Sequence, residues 1–538
     1  MTQINRIVAL QTGLFDKLPA EIIFDIFMAM DIRTLDLSRS HKIELAISGV
    51  GQAPPRTSKT RELSKRTDIL RNHRAAWRSL VWHEFRTVAA APIRFPHSFS
   101  EVSLRENVLA QKGTSDPTIY LTRIPSRRLA TTEESWTVRD DVGCDYFTMD
   151  PSQDLLVLME TSNNSAGYYA AELAVHLRSL TTGAVHPLAR DNVFHVSFHA
   201  LTSRQLRCEG QIVDDHLGVL YSDDRDTGFE KPVVVWNWKT GDKILEIVSD
   251  RFFSFSFIDE IHILVALSDS FMEDGACASV SVYDLTNPAS SRTHVTKAPN
   301  RCTFLLPESD WVDSIYVRCS PSSLGQSVLA YSSSEDLPDS VVTICAYCHA
   351  DTHSIETAVK IFVPASRLRD RIAAATPGQR LAWHEWGLTD AHVEVDAGPY
   401  FAEARSDSVA GMRAVDLSAD FTQLCVYDFE PSRISRYFHR TDPEVLKCSK
   451  DHAARDATLV GLPSIELLDW NARALKMFVP ASDWNELGSA SLSVLKTSIE
   501  LPEQLRGLDF DIWNTLITDD AIVILNPADL DLIHILRF

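Results

Sequence analysis

The sequence predicts a mostly β protein in which a small all-α module at the N-terminus precedes a large β-propeller-like domain of about six to eight blades. Three observations predict this architecture: an apolar pattern of helical period near the N-terminus, a change to short β runs after about residue 115, and a two-strand unit that recurs through the rest of the 538-residue chain. We place the helical module at residues 1–50, a linker with a basic amphipathic helix at residues 51–115, and the propeller-like domain at residues 116–538.

A helix is predicted between residues 18 and 30, because apolar side chains recur there three or four residues apart and form one broad stripe. Pro19 is compatible with the first turn of a helix. Residues 31–40 predict a turn and a second short helix, and the Gly- and Pro-rich residues 49–59 end the helical pattern. The stripe consists of Leu18, Ile22, Ile23, Ile26, Phe27 and Met30, and the second helix adds Leu35 and Leu37.

A further helix is predicted over about residues 61–85. Leu63, Leu70 and Trp77 recur every seven residues, and Leu80 and Phe85 extend the same apolar stripe. A solvated helix surface is the ordinary explanation for the basic residues on its other faces, and a docking surface for an acidic partner is the alternative. These basic residues are Arg61, Lys65, Arg66, Arg71, Arg74 and Arg78.

The repeated unit of the body has an acidic turn, an apolar strand and then a second strand that often ends in a Thr-Gly turn. The copies pair residues 154–158 with 175–183, 214–220 with 233–241, 259–267 with 280–285 and 326–331 with 341–345, and blurred copies include 424–429, 521–525 and 532–536. In the first three copies the second strands begin at Val175, Val233 and Val280, which are 58 and 47 residues apart.

Repeats of this length suit four-stranded blades with loop insertions, which close radially and leave only short sheet edges. A pair of two-sheet sandwiches is the alternative. The propeller is favoured because each repeat pairs its strands locally, and because the alternation persists to Phe538, as closure of a ring by both chain ends requires. Trp236 and Trp238 lie two residues apart on one predicted strand, so we expect both to pack in the core.

The charge of the chain divides into two parts. The net charge is −21, but residues 1–90 contain 14 Lys and Arg against nine Asp and Glu, so they carry +5 and residues 91–538 carry −26. An acidic body argues against a general nucleic-acid binder, because phosphate contacts need clustered Lys and Arg. With 45% hydrophobic residues, the composition is near the globular average, which argues against wholesale disorder.

The sequence predicts a soluble intracellular protein. Its start lacks the apolar core and cleavage site of a secretory signal. The longest apolar stretch, residues 261–267, is far shorter than the roughly 20 residues that cross a bilayer as a helix, so no membrane partner is expected. Nine cysteines scattered from Cys144 to Cys448 form no disulfide framework. We therefore expect reduced thiols and a location in the cytoplasm or nucleus.

One short motif matches a metal or haem site. Residues 345–349 fit the C-x-x-C-H pattern of haem attachment, and His353 could supply a fourth zinc ligand beside Cys345, Cys348 and His349. Haem attachment normally needs export, and these four side chains span only nine residues without a second ligand pair nearby. We expect ordinary strand and turn residues here and no cofactor, with a metal site as the alternative.

A second motif, His384-Glu385, lacks the second His of a zinc-protease helix because position 388 is Leu388. Zinc-dependent proteolysis is therefore not predicted. The neighbouring residues that we expect to pack a blade and turn a corner are Trp383, Trp386 and Gly387.

Paired carboxylates occur at residues 214–215 and 223–224, but they lack the spacing of a calcium-binding loop and are expected to lie in turns between strands. The sequence contains no G-x-S-x-G elbow, P-loop or G-x-G-x-x-G fingerprint. A catalytic function is therefore not expected.

The head resembles the F-box proteins, whose motif has the form L-P-x-E-I-x-x-x-I-F, followed by an apolar residue, a polar turn and a Leu-rich short helix with Ser-Arg. The matching residues are Leu18, Pro19, Ala20, Glu21, Ile22, Ile23, Ile26, Phe27, Met30, Asp31, Leu35, Leu37, Ser38 and Arg39. Residues 41–50 and 66–82 look like the segment that joins F-box and propeller in a large group of fungal F-box proteins. Residues 179–189, 233–241 and 426–429 also look like that group.

The resemblance implies a non-catalytic substrate-recognition adaptor of an SCF-type cullin-RING ubiquitin ligase. In such a protein the F-box docks on the Skp adaptor, and the C-terminal domain captures a protein substrate. The residues that would contact the adaptor are Leu18, Pro19, Ile22, Ile23, Ile26 and Phe27, and Met30, Leu35 and Leu37 would complete the motif.

Physical reasoning favours docking of this helix in a partner's groove, because a unit this small cannot bury a broad apolar stripe internally. Two alternatives remain at this point. The stripe packs on the predicted helix at residues 61–85, or the protein is a non-ligase propeller that serves as a scaffold for protein interactions.

Overall fold

Seven sheets are present in the part of the chain that the structure describes, and their strands follow one another along the sequence. The computed structural model describes residues 72–73, 75–77, 80–89, 102–112, 117–126, 131–163, 170–199, 206–223, 230–269, 277–286, 289–307, 312–319, 339–349, 356–397, 408–418, 422–429, 464–468, 494–501, 505, 514–518, 520–525 and 532–538. The predicted head at residues 1–50, with all of its motif residues, lies outside the described part.

The first three blades are antiparallel meanders of four strands. Blade 1 contains β2 (Val102–Arg105), β3 (Val108–Lys112), β4 (Thr118–Arg123) and β5 (Glu134–Arg139). Blade 2 contains β6 (Tyr146–Asp150), β7 (Leu155–Asn163), β8 (Ala170–Ser179) and β9 (Val193–His199). Blade 3 contains β10 (Leu206–Val213), β11 (His216–Asp223), β12 (Lys231–Asn237) and β13 (Lys243–Ser249).

Blades 4 and 5 keep this plan, but each also adds a strand to the blade before it. Blade 4 contains β14 (Phe252–Phe257), β15 (His262–Asp269), β16 (Cys277–Asp284) and β18 (Cys302–Leu305), and β17 (Ala289–His294) pairs in parallel with β13. Blade 5 contains β19 (Val312–Cys319), β20 (Val341–His349), β21 (Glu356–Pro364) and β23 (His392–Ala397), and β22 (Gln379–Leu381) pairs in parallel with β18. The added strands cover edges that would otherwise offer unpaired backbone groups.

The last two blades complete the ring. Blade 6 contains β24 (Val409–Ala410), β25 (Arg413–Leu417), β26 (Gln423–Asp428), β28 (Val494–Glu500) and the outer β27 (Ser464–Leu468). Blade 7 contains β29 (Asn514–Ile517), β30 (Ala521–Leu525) and β31 (Leu532–Arg537), and its outermost strand is β1 (Glu84–Ala89) from the other end of the described chain. Joining both ends of the chain in one sheet closes the propeller, as the sequence predicts.

Seven apolar clusters hold the ring together, because each pair of neighbouring blades shares one cluster. In β12, Val234 and Trp236 face blade 2, whereas Val233 and Val235 face blade 4. A strand buried on both faces reads as a continuous apolar run instead of an alternating one. Trp236 and Trp238 are both buried in the cluster between blades 2 and 3, which confirms the predicted core packing.

The ring begins earlier than the predicted boundary at residue 116, because β1, β2 and β3 all precede it. The helix predicted over about residues 61–85 is also too long at its C-terminal end. Residues 72–73 and 75–77 are helical, but Leu80 adopts a left-handed conformation with φ +44°, and Phe85 lies on β1. Trp77, Leu80 and Phe85 nevertheless pack in one cluster, so the apolar stripe continues through the turn into the strand.

The predicted pairs of apolar strands correspond to the second and third strands of blades 2, 3 and 4. The fourth predicted pair is wrong in register, because β20 pairs with β19 and is therefore the second strand of blade 5. Residues 326–331, which the prediction assigned to that position, lie outside the described part. The long connection between β19 and β20 changes the spacing on which the prediction depended.

Among its described residues, the body also contains two helices that the repeat pattern does not predict, α1 (Ala365–Ala374) and α2 (Trp383–Asp390). Both lie in the connection between β21 and β23. Trp383, Trp386 and Gly387 are buried, as expected, but they lie on α2 and not at the corner of a blade.

The predicted Thr-Gly turns are present after β8 and β12, where the glycines take φ values of +73° (Gly183) and +80° (Gly241). L-residues pay about 1–2 kcal/mol for such a conformation. In each turn the glycine N–H donates to a carbonyl four residues back, at 2.8 Å to Ser179 and 2.9 Å to Asn237. A Cβ at Gly183 would also lie only 2.8 Å from Cγ1 of the buried Val138, which is closer than two carbon atoms can pack.

Gly183→Ala is therefore expected to lower the free energy of unfolding by about 2 kcal/mol, measured by chemical denaturation. Gly143→Ala is the matched control, since Gly143 has a similar φ of +72° but open space around the added carbon. The control should lose only the conformational part, about 1 kcal/mol. Equal losses at the two sites would contradict a role for the close contact with Val138.

Candidate functional site

The residues predicted to bind an adaptor lie outside the part of the chain that the structure describes. They are Leu18, Pro19, Ile22, Ile23, Ile26, Phe27, Met30, Leu35 and Leu37. Within the described ring, the candidate sites are two sequence motifs, two clusters of charged side chains and one face.

The C-x-x-C-H motif begins on β20 as an ordinary strand. Cys345 is buried, and burial raises the pKa of its thiol to about 12, which keeps it protonated and a poor metal ligand. The side chains of Cys348, His349 and His353 lie outside the described set. Among the residues that the structure describes, no three His, Cys, Asp or Glu side chains are grouped so that they could hold a metal ion.

The second tempting motif lies on α2, where His384 and Glu385 are exposed. Glu385 accepts a hydrogen bond from the backbone N–H of Ala382 at 2.6 Å, so it caps the first turn of the helix. The carboxylate thus has a local structural role.

The inner strands carry a charged pair that spans blade 4. Arg318 Nη1 of β19 donates to Glu209 Oε1 of β10 at 2.7 Å, and Gln211 Nε2 donates to the same oxygen at 3.0 Å. Gln211 also donates to the carbonyl of Phe255 on β14 at 3.0 Å. Because each charge has an opposite partner, this group links the inner strands of three blades.

Another polar cluster lies between blades 5 and 6. Tyr427 Oη donates to Glu394 Oε2 at 2.7 Å, and Lys496 Nζ and His392 Nε2 each lie 3.6 Å from that carboxylate. Burial alone would raise the pKa of Glu394, but its contacts with His392, Lys496 and Tyr427 lower it below the usual value. The cluster is charge-compensated and joins the two blades.

The face that bears the turns between first and second strands, and between third and fourth strands, has a different character. We call it the turn face. In the part of the chain that the structure describes, three large apolar side chains are exposed, and all three lie on this face. They are Val185 (42% exposed) and Leu188 (60%) in the β8–β9 connection and Ile261 (44%) in the β14–β15 turn.

Acidic turns lie between these apolar side chains. Asp214 and Asp215 occupy the β10–β11 turn, as the sequence predicts for this carboxylate pair, and Asp214 takes φ +50°. Desolvation within the turn, followed by the negative charge of Glu260 in the β14–β15 turn, raises the pKa of the Asp214 carboxyl to about 6. Lys239 Nζ lies 2.5 Å from Asp215 Oδ1 and compensates that charge.

Direct contacts connect the turns of blades 2 and 3. Gln153 Nε2 donates to Asp150 Oδ2 at 2.9 Å and to the carbonyl of Asp214 at 2.6 Å, and Trp238 Nε1 donates to the same carbonyl at 2.9 Å. His186 packs edge-on against Trp238, with 4.9 Å between ring centroids. These contacts fix the relative positions of the two turns.

His186 also anchors the exposed Leu188. Its Nδ1 accepts from the backbone N–H of Leu188 at 3.2 Å, which leaves Nε2–H to donate to the carbonyl of Gln153 at 3.0 Å. These turns form a series across blades 2, 3 and 4, which we call the turn-face strip: Val185 and Leu188 at one end, Asp150, Asp214, Asp215 and Glu260 in the middle, and Ile261 at the other end. Sequence reasoning found its acidic turn but not its apolar ends, because a single exposed Leu or Ile has no distinguishing pattern.

The strand pairing and ring closure define the chain as a seven-bladed β-propeller within its described residues. In the same residues, no helix has the length and apolar character required to cross a membrane. No protein-family model matches the chain, and no curated protein matches it.

Among solved structures, the chain is similar to extracellular domains 1–2 of Drosophila Semaphorin 1b at 9% identity, with 84% of this chain and 87% of that chain covered and a TM-score of 0.34. It is also similar to a mutant apocarotenoid oxygenase of Synechocystis at 9% identity, with 60% and 67% covered and a TM-score of 0.29. At TM-scores this low, neither likeness carries an argument, so the fold assignment rests on the strand pairing.

Proposed function

We propose that the protein is a substrate-recognition subunit of an SCF-type cullin-RING ubiquitin ligase. The observation that carries this proposal is the F-box-like pattern at residues 18–39, placed ahead of a complete propeller ring. In this proposal the N-terminal motif binds the Skp adaptor, and the ring binds a protein substrate.

The proposed mechanism is proximity and needs no catalytic residue in this chain. Tethering a substrate beside a ubiquitin-charged partner converts a bimolecular encounter into an effectively intramolecular one, which raises the effective concentration. A rigid ring suits this task, since seven shared cores hold the turns of different blades in fixed relative positions. The net charge of −26 on residues 91–538 favours substrates with basic surfaces through electrostatic steering.

Co-purification with the Skp adaptor tests the proposal. The full chain is expected to retain the adaptor, and the triple variant Leu18→Ala, Pro19→Ala, Ile26→Ala is expected to lose it, because three apolar contacts of the motif are removed. The matched control is Val185→Ala, Leu188→Ala, Ile261→Ala, which removes three exposed apolar side chains from the ring and should leave adaptor binding unchanged.

Two results would overturn the ligase proposal: a wild-type chain that does not retain the adaptor, or a triple variant that retains it fully. Either result would favour a propeller scaffold outside the ubiquitin system, in which the helix predicted at residues 18–30 has another partner or packs within its own chain.

A further inference from the structure

We infer that the turn-face strip is a docking surface for a basic protein segment that carries apolar residues on both sides of its Lys or Arg side chains. The inference does not depend on the ligase proposal, since it concerns the ring alone. It assigns a chemical class to a partner and places it on blades 2, 3 and 4.

The first step of the argument is the distribution of exposed apolar surface. Within the described residues, the exposed large apolar side chains are Val185, Leu188 and Ile261, and they occupy the two ends of one strip instead of being scattered over the ring. Scattered exposed apolar residues need no explanation, but a set confined to one surface is typical of a binding site.

The second step is charge complementarity at the middle of the strip. The groups that face Asp214 are Asp150 from the β6–β7 turn, Asp215 and His216 from its own turn, Glu260 from the β14–β15 turn and Lys239 from the β12–β13 turn. Lys239 is paired with Asp215. The carboxyl groups of Asp214 and Glu260 lie within hydrogen-bond reach of each other, so they can share a proton, and they repel each other when both are ionised. An incoming Lys or Arg would remove that repulsion, whereas an acidic or purely apolar segment would increase it or leave it in place.

The third step is rigidity. The carbonyl of Asp214 accepts from both Gln153 and Trp238, and the backbone beside Leu188 is held by the buried His186. The acidic middle and one apolar end are therefore fixed before a partner arrives, which lowers the entropic cost of binding.

Titration of Asp214 gives the surface a measurable signature. A cationic partner binds the ionised carboxylate, so it lowers the pKa of Asp214 from its free value of about 6 and binding releases a proton. Affinity for a partner without His should therefore rise about tenfold from about pH 5 to about pH 7 and then level off.

The test uses the full-length chain and a fluorescein-labelled peptide of about twelve residues, roughly 40 Å when extended, with two leucines at each end, Lys and Arg between them and no His. Binding is measured by fluorescence anisotropy. A second peptide replaces the four leucines by serine, and a third replaces Lys and Arg by glutamate. The first peptide is expected to bind at least about tenfold more tightly than either of the others.

Two double variants test the two parts of the surface. Leu188→Ser with Ile261→Ser removes the apolar ends, and Asp214→Asn with Glu260→Gln removes the central charges, while Asn remains compatible with the left-handed conformation at position 214. Each should weaken binding about tenfold or more, and the second should also abolish the rise in affinity between about pH 5 and pH 7.

The matched control is Glu133→Gln with Glu134→Gln, which removes two exposed carboxylates from blade 1 and should change affinity by less than about twofold. Thermal melting confirms that all variants are folded. The Leu18→Ala, Pro19→Ala, Ile26→Ala chain should bind the peptide as the wild type does, so failure of the ligase proposal leaves this result unaffected.

Several outcomes would overturn the inference. They are no binding of the first peptide to the wild type, an equal loss in the blade 1 control, and undiminished binding by either double variant of the strip. A wild-type dimer that the Leu188→Ser, Ile261→Ser variant dissociates would identify a second copy of the chain as the occupant, and this too would overturn the assignment to a basic partner.

Discussion

A chain that begins at residue 91 is expected to lose the stable ring, whereas a chain that begins at residue 67 is expected to keep it. The shorter chain lacks β1, whose six residues pair with β31 from Glu84 opposite Arg537 to Ala89 opposite Leu532. It also lacks Trp77, Leu80 and Trp82, which are buried in the cluster between blades 6 and 7. Trp77 stacks on Phe538 with 4.1 Å between ring centroids.

The expected loss is large in comparison with the stability of a protein. Removing one buried Trp or Leu costs about 2–5 kcal/mol, and three such side chains are lost together with a whole strand. Typical unfolding free energies are about 5–15 kcal/mol, so the ring without β1 is not expected to fold stably. The exposed edge of β31 would in addition favour aggregation.

The measurement is thermal unfolding by circular dichroism, with size-exclusion chromatography to detect aggregates. In case the shorter chain is not soluble, Trp77→Ala in the chain that begins at residue 67 provides a second measurement and should lower the unfolding free energy by about 3–5 kcal/mol. Equal melting temperatures for the two truncated chains would show that β1 does not close the ring in solution.

This closure illustrates which part of the fold the sequence can predict. The second and third strands of a blade are buried between two other blades, so β7 and β12 appear as continuous apolar runs that are easily recognised. Their pairing is local and the Thr-Gly turns mark their ends. A mostly β body with about six to eight blades therefore follows from the sequence.

Outer strands are harder to predict, because their partners are distant in the sequence. Glu84 of β1 pairs with Arg537, and the short β17 and β22 pair with blades that precede their own. Nothing in their composition identifies these partners. The helix α1 is a different case, since Ala365, Leu368 and Ile372 form a buried stripe of helical spacing that was available in the sequence.

The turn-face strip could be predicted only in part, for the same physical reason. The acidic turn at residues 214–215 is visible as a local pattern, but its neighbours Gln153 and Glu260 come from other blades. The pKa of Asp214 is raised first by desolvation and then by the charge of Glu260, 46 residues away, so this second contribution requires the relative positions of blades 3 and 4. Contacts between turns of different blades do not follow from local periodicity.

Trp386→Ala is expected to be the most damaging single substitution in the connection between β21 and β23. Trp386 on α2 is fully buried, its Nε1 donates to the carbonyl of Leu305 at 3.1 Å, and its ring packs edge-on against Phe304 at a centroid distance of 5.1 Å. The substitution creates a cavity and removes the donor to that carbonyl, so the unfolding free energy should fall by about 3–5 kcal/mol.

The consequence extends beyond the helix, because β22 directly precedes α2 and covers the outer edge of β18 in blade 4. Loosening α2 should therefore uncover that edge, and the variant should aggregate at lower temperature than the wild type. Chemical denaturation and light scattering on heating measure the two effects. His384→Ala on the exposed face of the same helix is the matched control and should change stability by less than about 0.5 kcal/mol. If both variants unfold alike, α2 does not anchor blade 5 to blade 4, and the edge of β18 must be protected by β22 alone.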